Sequence, residues 1–240
     1  MKITFAGTGI MSSTQRANTS MLVDDVLFDC GAGTVKQLFR LGVYVPTAVR
    51  YVCISHYHVD HFLDLGSLYF AREKDKSQVC TIIGRKGIRR KMIQLMQFTH
   101  GDGREERFED IEKLNNLEFI EVEPGDVVEL PGMRLEVVEL EHNTCRPLGY
   151  ILEKEGKRVA YCCDMNPFEG FEDICQKADM MCSDCNNATD GSRAHMGQDL
   201  LRDIAQRHPD CRFYALHRGD YEPKYPDILH YPQDGDILEL

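Results

Sequence analysis

Short apolar runs alternate along the chain with polar segments and with four stretches of helical periodicity. The runs are rich in β-branched and aromatic residues, which is typical of strands. They read KITFAG, SMLVD, DVLFDC, RYVCIS, VCTIIG, LEFIEV, DVVEL, MRLEVVEL, LGYILE, RVAYCC, ADMMCS and CRFYAL. The pattern predicts helices over residues 34–41, 62–71, 86–98 and 198–207.

The order of these elements indicates the fold class. Residues 117–153 contain no helical pattern and predict an antiparallel sheet that turns at Pro124-Gly125 and Pro131-Gly132. Strands grouped in this way, with helices between the groups, favour an α+β fold in which two sheets pack together under helices. No repeat or low-complexity linker divides the chain, so we expect one domain over residues 1–240.

Composition and net charge argue against some classes of function. The 240 residues carry a net charge of −11 from 39 acidic and 28 basic residues, which argues against a broad surface for nucleic acid. A local basic stretch, GRKGIRRK at 84–91, is best explained as a solvated helix face. No apolar run approaches the ~20 residues that span a bilayer, so we expect a cytoplasmic protein without a membrane partner. The scattered cysteines suit reduced core thiols, and the lone pair Cys182 and Cys185 suits a structural role.

Metal-binding residue types follow four of the predicted strands. The stretch SHYHVDHFLDLG at 55–66 follows the strand RYVCIS, and further histidines or aspartates follow MRLEVVEL, RVAYCC and CRFYAL. If these strand ends lie at one edge of a sheet pair, their side chains converge. The candidate ligands are His56, His58, Asp60, His61, His142, Asp164 and His217.

Seven candidate ligands exceed the needs of one tetrahedral zinc ion and suit two metals that share a carboxylate and a water. Imidazole and carboxylate groups suit zinc, with manganese and iron as alternatives. The absence of cysteine from this set argues against a purely structural zinc site. We therefore expect two divalent metal ions, with zinc preferred.

The motif HxHxDH, followed by His142, Asp164 and His217, resembles the metallo-β-lactamase superfamily. The segments AGTGIMSSTQRANTSMLV and LFDCGAGTVKQL, and LGYIL after His142, resemble its ribonuclease Z branch and phosphodiesterase relatives. The segment IGRKGI resembles the same branch, with Arg85 where proline is usual. The resemblance implies a four-layer αββα sandwich with metals at one edge of the sheets. It also implies one ion on His56, His58 and His142, and another on Asp60, His61 and His217, bridged by Asp164.

Three further residues receive roles from the resemblance. Asp29 matches an acidic position that supports a metal-bound histidine, although a turn or cap role explains it equally well. His195 in AHMGQDLL matches an extra histidine that pairs with an upstream acid, here Asp184. The match is altered, since Gly197 stands where serine or threonine is usual and Asp184 where glutamate is more common. A solvated loop histidine is the alternative for His195.

The expected reaction is phosphodiester hydrolysis. Two cations lower the pKa of a shared water, Asp60 orients it, and His195 assists the departing oxygen. Ribonuclease Z proper has a long arm between its third and fourth motifs, but His142 and Asp164 are only 22 positions apart here. A small nucleotide, a cyclic phosphodiester or a short RNA end is therefore the expected substrate.

Other functions remain open from the sequence. A carboxylic ester, lactone or thioester hydrolase of the same fold is one alternative, and a tRNA 3′-processing endoribonuclease is another. A sensor that binds without turnover is disfavoured by the complete ligand set, since members of the family without activity usually lose ligands. A purely structural or scaffolding role would leave the seven ligands unexplained. By resemblance alone, we expect a homodimer.

Overall fold

The computed structural model describes residues 1–100, 108–143, 145–190, 192 and 194–240. Its strands are β1 Lys2–Gly7, β2 Ser20–Val23, β3 Val26–Phe28, β4 Tyr51–Cys53, β5 Cys80–Arg85, β6 Leu117–Val122, β7 Val127–Leu130, β8 Met133–Glu139, β9 Leu148–Lys154, β10 Lys157–Cys162, β11 Met180–Asp184, β12 Arg212–Leu216, β13 Leu229–His230 and β14 Ile237–Glu239. Its helices are α1 Thr34–Arg40, α2 Val45–Ala48, α3 Val59–Phe62, α4 Leu65–Arg72, α5 Ile88–His100, α6 Ile111–Asn115, α7 Phe171–Cys175 and α8 Gln198–Arg207.

The strands form two mixed sheets. The first has the order β14-β1-β2-β3-β4-β5-β6, and the second has the order β13-β12-β11-β10-β9-β8-β7. In each sheet one part is antiparallel and the other is parallel, with β3 to β6 parallel in the first and β10 to β13 parallel in the second. Parallel neighbours end at the same edge, so the residues that follow β4, β10 and β12 can meet there.

Three apolar layers separate the sheets and helices. One core lies between the two sheets and includes Phe28, Tyr150 and Tyr161. A second core lies under α1, α2, α4, α5 and α6 on the first sheet. A third lies under α7 and α8 on the second sheet. This α/β/β/α layering confirms the expected αββα sandwich and follows from strands that present apolar side chains on both faces.

The expectation of one antiparallel sheet over 117–153 was partly wrong. The turn at Pro131-Gly132 joins β7 and β8 as expected. However, β6 pairs in parallel with β5 in the first sheet, so Pro124-Gly125 carries the chain from one sheet to the other. Periodicity shows which residues are extended but not which strand they pair with. The helices α5 and α6 between β5 and β6 form the crossover that a parallel pair requires.

Short elements were missed by the sequence pattern. The expected helix 62–71 is in fact α3, a two-residue break and α4. A four-residue helix such as α3 contains a single turn and has no readable period. The omission matters because α3 carries Asp60 and His61.

The ten cysteines are free thiols, and nine of them are buried. Cys182 packs in the core between the sheets, whereas Cys185 packs in the core under α7 and α8. The two side chains therefore lie on opposite faces of the second sheet, which fits separate packing roles better than a shared metal ion. Among the described helices, none has the length and apolar character needed to cross a membrane.

Candidate metal centre

The structure brings the seven predicted ligands together at one edge of the sheet pair. His56 and His58 follow β4, and Asp60 and His61 lie on α3. The other three follow β8, β10 and β12, in that order: His142, Asp164 and His217. Six of the seven side chains are buried and His58 is exposed.

Asp60, His61 and His217 form one part of the cluster, here named the buried half. Oδ1 of Asp164 lies 3.1 Å from Nε2 of His61 and 3.1 Å from Nε2 of His217. Oδ2 of Asp60 lies 3.5 Å and 3.4 Å from the same two nitrogens. Two carboxylates and two imidazoles thus bring oxygens and nitrogens within 3.1–3.5 Å of one another, which is a ligand set that suits zinc, manganese or iron.

His56, His58 and His142 form the other part, here named the three-histidine half. Oδ2 of Asp164 lies 3.8 Å from Nε2 of His56 and 3.7 Å from Nε2 of His142. Nε2 of His56 is 2.9 Å from Nδ1 of His58. Nδ1 of His142 donates to the carbonyl oxygen of Ala194 at 2.7 Å, which leaves its Nε2 for a metal.

Asp29 lies behind the buried half and is fully buried. Its carboxylate accepts hydrogen bonds from Nδ1 of His61 at 2.7 Å and from the Tyr161 hydroxyl at 2.9 Å. It also accepts from the backbone N–H and the hydroxyl of Ser55, each at 2.8 Å. The contact orients the His61 ring and fixes its tautomer, so that Nε2 faces the cluster.

Asp184 is also fully buried and lies behind His195 and His217. Oδ2 of Asp184 accepts from Nδ1 of His195 at 2.8 Å, and the backbone N–H groups of Met165 and Asn186 donate to this carboxylate. Nδ1 of His217 is 3.6 Å from its Oδ1, which is too long for a hydrogen bond. His195 is therefore held by Asp184 through one ring nitrogen, and the other faces the cleft.

Three residues of this region have a left-handed backbone. The φ angles are 57° for Asp29, 48° for Asp164 and 51° for His217. Aspartate and histidine adopt this conformation more readily than most residues, but it still costs about 1–3 kcal/mol each. In each case the bend comes one or two residues beyond the end of a strand and turns a polar side chain toward the cluster.

The loop after β3 packs directly against α3. A Cβ at Gly31 would lie 1.7 Å from the carbonyl oxygen of Asp60. The N–H groups of Cys30 and Ala32 donate to the carbonyl oxygens of His61 and Val59. The FDCGAG segment thus positions α3 through its backbone, and only glycine fits at position 31.

Without metal, the cluster has an unusual distribution of protons. Burial raises the pKa of Asp60, but the neighbouring His217 and His61 rings lower it well below its usual value. Burial lowers the pKa of His217, but Asp164 and Asp184 raise it to about 10. The pKa of His61 is likewise raised, because Asp164 and Asp29 outweigh its burial. These protonated histidines would exchange their protons for metal.

The residues fit two metal ions. Nε2 of His61 is buried, and no acceptor meets it in hydrogen-bonding geometry although Oδ1 of Asp164 is close. Ligand-capable atoms of Asp60, His61 and His217 lie within 4.8 Å of one another. The same holds for His56, His58 and His142. An aimed but unpaired ring nitrogen among converging donors is what a metal site requires.

A cleft of about 550 Å³ opens onto both halves. His58, His142, Asp60, Asp164 and His217 line it, together with His195. On its outer side lie Ile10, Met11, Ser12, Asn143 and Asn186, which the sequence did not single out. The volume suits a small organic ligand.

Sequence reasoning also missed supporting residues. Oδ2 of Asp64 accepts from the N–H of Val35, so it ties the start of α1 to the start of α4. Ser55 and Tyr161 donate to Asp29. Asp64 belongs to the same histidine-rich stretch, so the sequence could have indicated it as a supporting residue. Tyr161 cannot be distinguished from other core aromatic residues in the sequence.

The Beta-lactamase superfamily domain profile matches residues 24–217, which contain all seven clustered residues. The chain belongs to the β-lactamase superfamily. The chain resembles a solved structure, that of the metallo-beta-lactamase fold protein YhfI from Bacillus subtilis. The two superpose with a TM-score of 0.78 at 19% identity, over 99% of this chain and 98% of that one. That similarity supports the superfamily fold.

Curated relatives of this superfamily member are named ribonuclease Z, which confirms the resemblance found in the sequence. The protein from Methanosarcina acetivorans is 33% identical over 63% of this chain and 48% of its own length. The chain thus spans about half the length of several relatives that it matches. A protein from Natronomonas pharaonis is 26% identical over 100% of this chain and 98% of its own length. That alignment has 313 positions against 240 residues here, so the relative has segments with no counterpart in this chain.

Proposed function

We propose that this protein is a metal-dependent hydrolase of small phosphodiesters, with two divalent ions, preferably zinc, as cofactors. The observation that carries the proposal is the pairing of His195 with buried Asp184 beside the seven clustered residues. The names of the curated relatives support phosphorus rather than carbon as the reacting centre. A small nucleotide, a cyclic phosphodiester or a short RNA end is the proposed substrate class.

Two bound divalent ions would supply Lewis-acid activation of a water and neutralisation of charge on the phosphoryl oxygens. His56, His58 and His142 would hold one ion, Asp60, His61 and His217 the other, and Asp164 would contact both.

The side chains around this centre have separate tasks. As a carboxylate beside the two ions, Asp60 would accept a hydrogen bond from the attacking water and orient it. His195 uses Nδ1 for Asp184 and has Nε2 free for the cleft. From Nε2 it donates a proton to the leaving oxygen, a role that contributes about 10²–10⁴-fold in general acid catalysis.

The segment between His142 and Asp164 supports a small substrate. It consists of β9, a tight turn at Glu155-Gly156 and β10, paired in register from Lys157 with Lys154 onward. The hairpin leaves no room for an RNA-clamping arm. A tRNA 3′-processing endoribonuclease is the second candidate, because the curated relatives carry the name ribonuclease Z.

The nearby basic stretch 84–91 offers limited positive charge. Arg85 pairs with Glu123 at 3.1 Å and with Glu139 at 3.5 Å, and Arg89 pairs with Glu112. Acidic partners therefore compete with a phosphate backbone for these two guanidinium groups. The single domain, the homodimer and the cytoplasmic location remain predictions.

The test compares zinc-loaded and manganese-loaded protein on bis-p-nitrophenyl phosphate, a p-nitrophenyl carboxylic ester and a precursor tRNA. We expect turnover of the phosphodiester, a loss of about 10²–10⁴-fold in His195→Ala, and no such loss in the control His230→Ala. His230 is an exposed histidine on β13 and does not line the cleft.

Ester turnover without phosphodiester turnover, and with no effect of His195→Ala, would replace the proposal with a carboxylic-ester hydrolase. Efficient cleavage at the 3′ end of the precursor tRNA would overturn the small-substrate assignment in favour of the endoribonuclease.

A further inference from the structure

Cys145 lies beside the three-histidine half in a position fixed by the backbone. The N–H of His142 donates to the carbonyl oxygen of Cys145 at 3.2 Å, and the N–H of Cys145 donates back to His142 at 2.8 Å. The two residues form an isolated antiparallel bridge. Paired backbone hydrogen bonds therefore hold Cys145, and with it the thiol, next to the candidate ligand His142.

The sulfur belongs to a compact group of ligand atoms. Sγ of Cys145 and one ring nitrogen from each of His56, His58 and His142 lie within 4.8 Å of one another. Around one tetrahedral zinc ion, nitrogen and sulfur ligands stand roughly 3.3–3.6 Å apart, given bonds of about 2.0–2.3 Å. Small side-chain rotations would bring the four atoms to these separations.

Packing does not explain this cysteine. The other nine cysteines are buried, and Cys145 alone is half-buried. It lines a second cavity of about 360 Å³ together with Ser55, His56, Tyr57, His58, Arg85 and Arg146. Buried cysteines serve as small apolar side chains, whereas the Cys145 thiol lies close to three imidazoles and lines a cavity.

The shared carboxylate of Asp164 is not equally close to the two halves. The Asp164 oxygens lie 3.1 Å from the buried-half nitrogens but 3.7 Å and 3.8 Å from those of His142 and His56. Asp164 thus lies nearer to the buried half. A zinc ion on three histidines and the more distant Asp164 has room for a further ligand, because zinc accepts four or five, and the Cys145 sulfur lies close to the three histidine nitrogens.

We propose that Cys145 binds, as a thiolate, the metal ion held by His56, His58 and His142. The S–H bond breaks as the sulfur–metal bond forms, and the proton passes to solvent without any oxidation or reduction. A three-histidine, one-cysteine set is softer than the set of the buried half, so it selects zinc over manganese and iron. The inference rests on the proposed metal centre but not on its hydrolytic activity.

Cobalt(II) substitution tests the sulfur bond directly. We expect the cobalt-loaded protein to show a near-ultraviolet sulfur-to-cobalt charge-transfer band. The band should vanish in Cys145→Ser and persist in the control Cys211→Ser, whose thiol lies in the core under α7 and α8. Because the band is measured first in the unsubstituted protein, the test remains valid even if a variant folds poorly.

Chelator competition tests metal selectivity. Cys145→Ser should weaken the zinc affinity of one site by at least about 10–100-fold, and should leave the manganese affinity nearly unchanged. Protein that binds two cobalt ions and is active, yet shows no thiolate band, would overturn this inference alone. Protein that binds no metal would overturn both this inference and the proposed function.

Discussion

The two halves of the candidate metal centre are built differently. In the buried half, Asp60, His61 and His217 are enclosed by protein, and Asp29 accepts a hydrogen bond from His61. In the three-histidine half, His58 is exposed, and the ring of His142 is oriented by a backbone carbonyl. Asp29 thus supports His61 directly, whereas the three-histidine half is oriented by the carbonyl oxygen of Ala194 and by the Ser55 hydroxyl, which lies 3.0 Å from Nδ1 of His56.

The two halves therefore differ in how firmly their ligands are oriented and in how accessible their ions would be. A buried carboxylate behind a histidine raises its basicity and fixes its orientation, so the buried half is preorganised for tight binding. The three-histidine half faces both cavities, so its ion would be reached more easily by ligands and by the Cys145 sulfur. Substitutions that affect one half more than the other test this contrast.

The largest effect is expected for Asp164→Ala, because this carboxylate contacts both halves. Loss of the shared carboxylate removes several kcal/mol of charge stabilisation, or about 10³-fold in turnover. Metal content measured by mass spectrometry should fall below two ions per chain. Full occupancy of both halves in this variant would show that they are independent.

Asp29→Asn should act mainly on the buried half, because Asp29 contacts His61 directly but reaches His56 only through the Ser55 hydroxyl. The Asp29 carboxylate accepts four hydrogen bonds. The amide group of asparagine has N–H groups of its own, so some of these donors would face another donor. We expect one of two metal affinities to fall about 10–100-fold in a metal titration.

Asp184→Asn is the comparison variant, because the hydrogen bond of Asp184 goes to His195, whereas its Oδ1 lies 3.6 Å from Nδ1 of the candidate ligand His217. We expect a fall in kcat and a smaller loss of metal affinity than in Asp29→Asn. Equal losses of affinity in both variants would contradict the separation of roles.

Gly31→Ala and Gly66→Ala should shift stability in opposite directions. The new Cβ at position 31 meets the backbone of Asp60, so we expect a loss of about 1–3 kcal/mol in the free energy of unfolding. Gly66 lies inside α4 with only Sδ of Met96 nearby at 3.8 Å, so alanine should add about 0.5–1 kcal/mol. Chemical denaturation followed by circular dichroism measures both, and a stable Gly31→Ala would refute the role of the loop after β3.

The smallest effect is expected in the basic stretch 84–91. Arg89 pairs with Glu112 on the surface, and such exposed pairs contribute at most about 1 kcal/mol. Arg89→Ala should leave phosphodiester turnover and its salt dependence unchanged. A large, salt-dependent loss of RNA binding would show instead that this surface next to the three-histidine half contacts substrate.

Part of the fold was readable from the sequence for identifiable reasons. The helix over 198–207 was predicted with its observed bounds because its apolar period is regular over ten residues. The strands β1 and β6 were also predicted with their observed bounds. The partner of β6 was predicted wrongly, because its pairing depends on where the crossover through α5 and α6 returns the chain.

The strands β1 to β12, the long helices and the residue types of the site could be predicted from the sequence, because local periodicity and ligand chemistry are encoded in single segments; the short strands β13 and β14 were missed. The sequence also placed His56, Asp164 and His217 at the ends of strands. The three-dimensional structure was needed to show that Asp164 is nearer to the buried half and that Cys145 lies beside His142. Distances between residues far apart in sequence depend on strand order, sheet packing and left-handed turns such as those at Asp164 and His217, which no local pattern encodes.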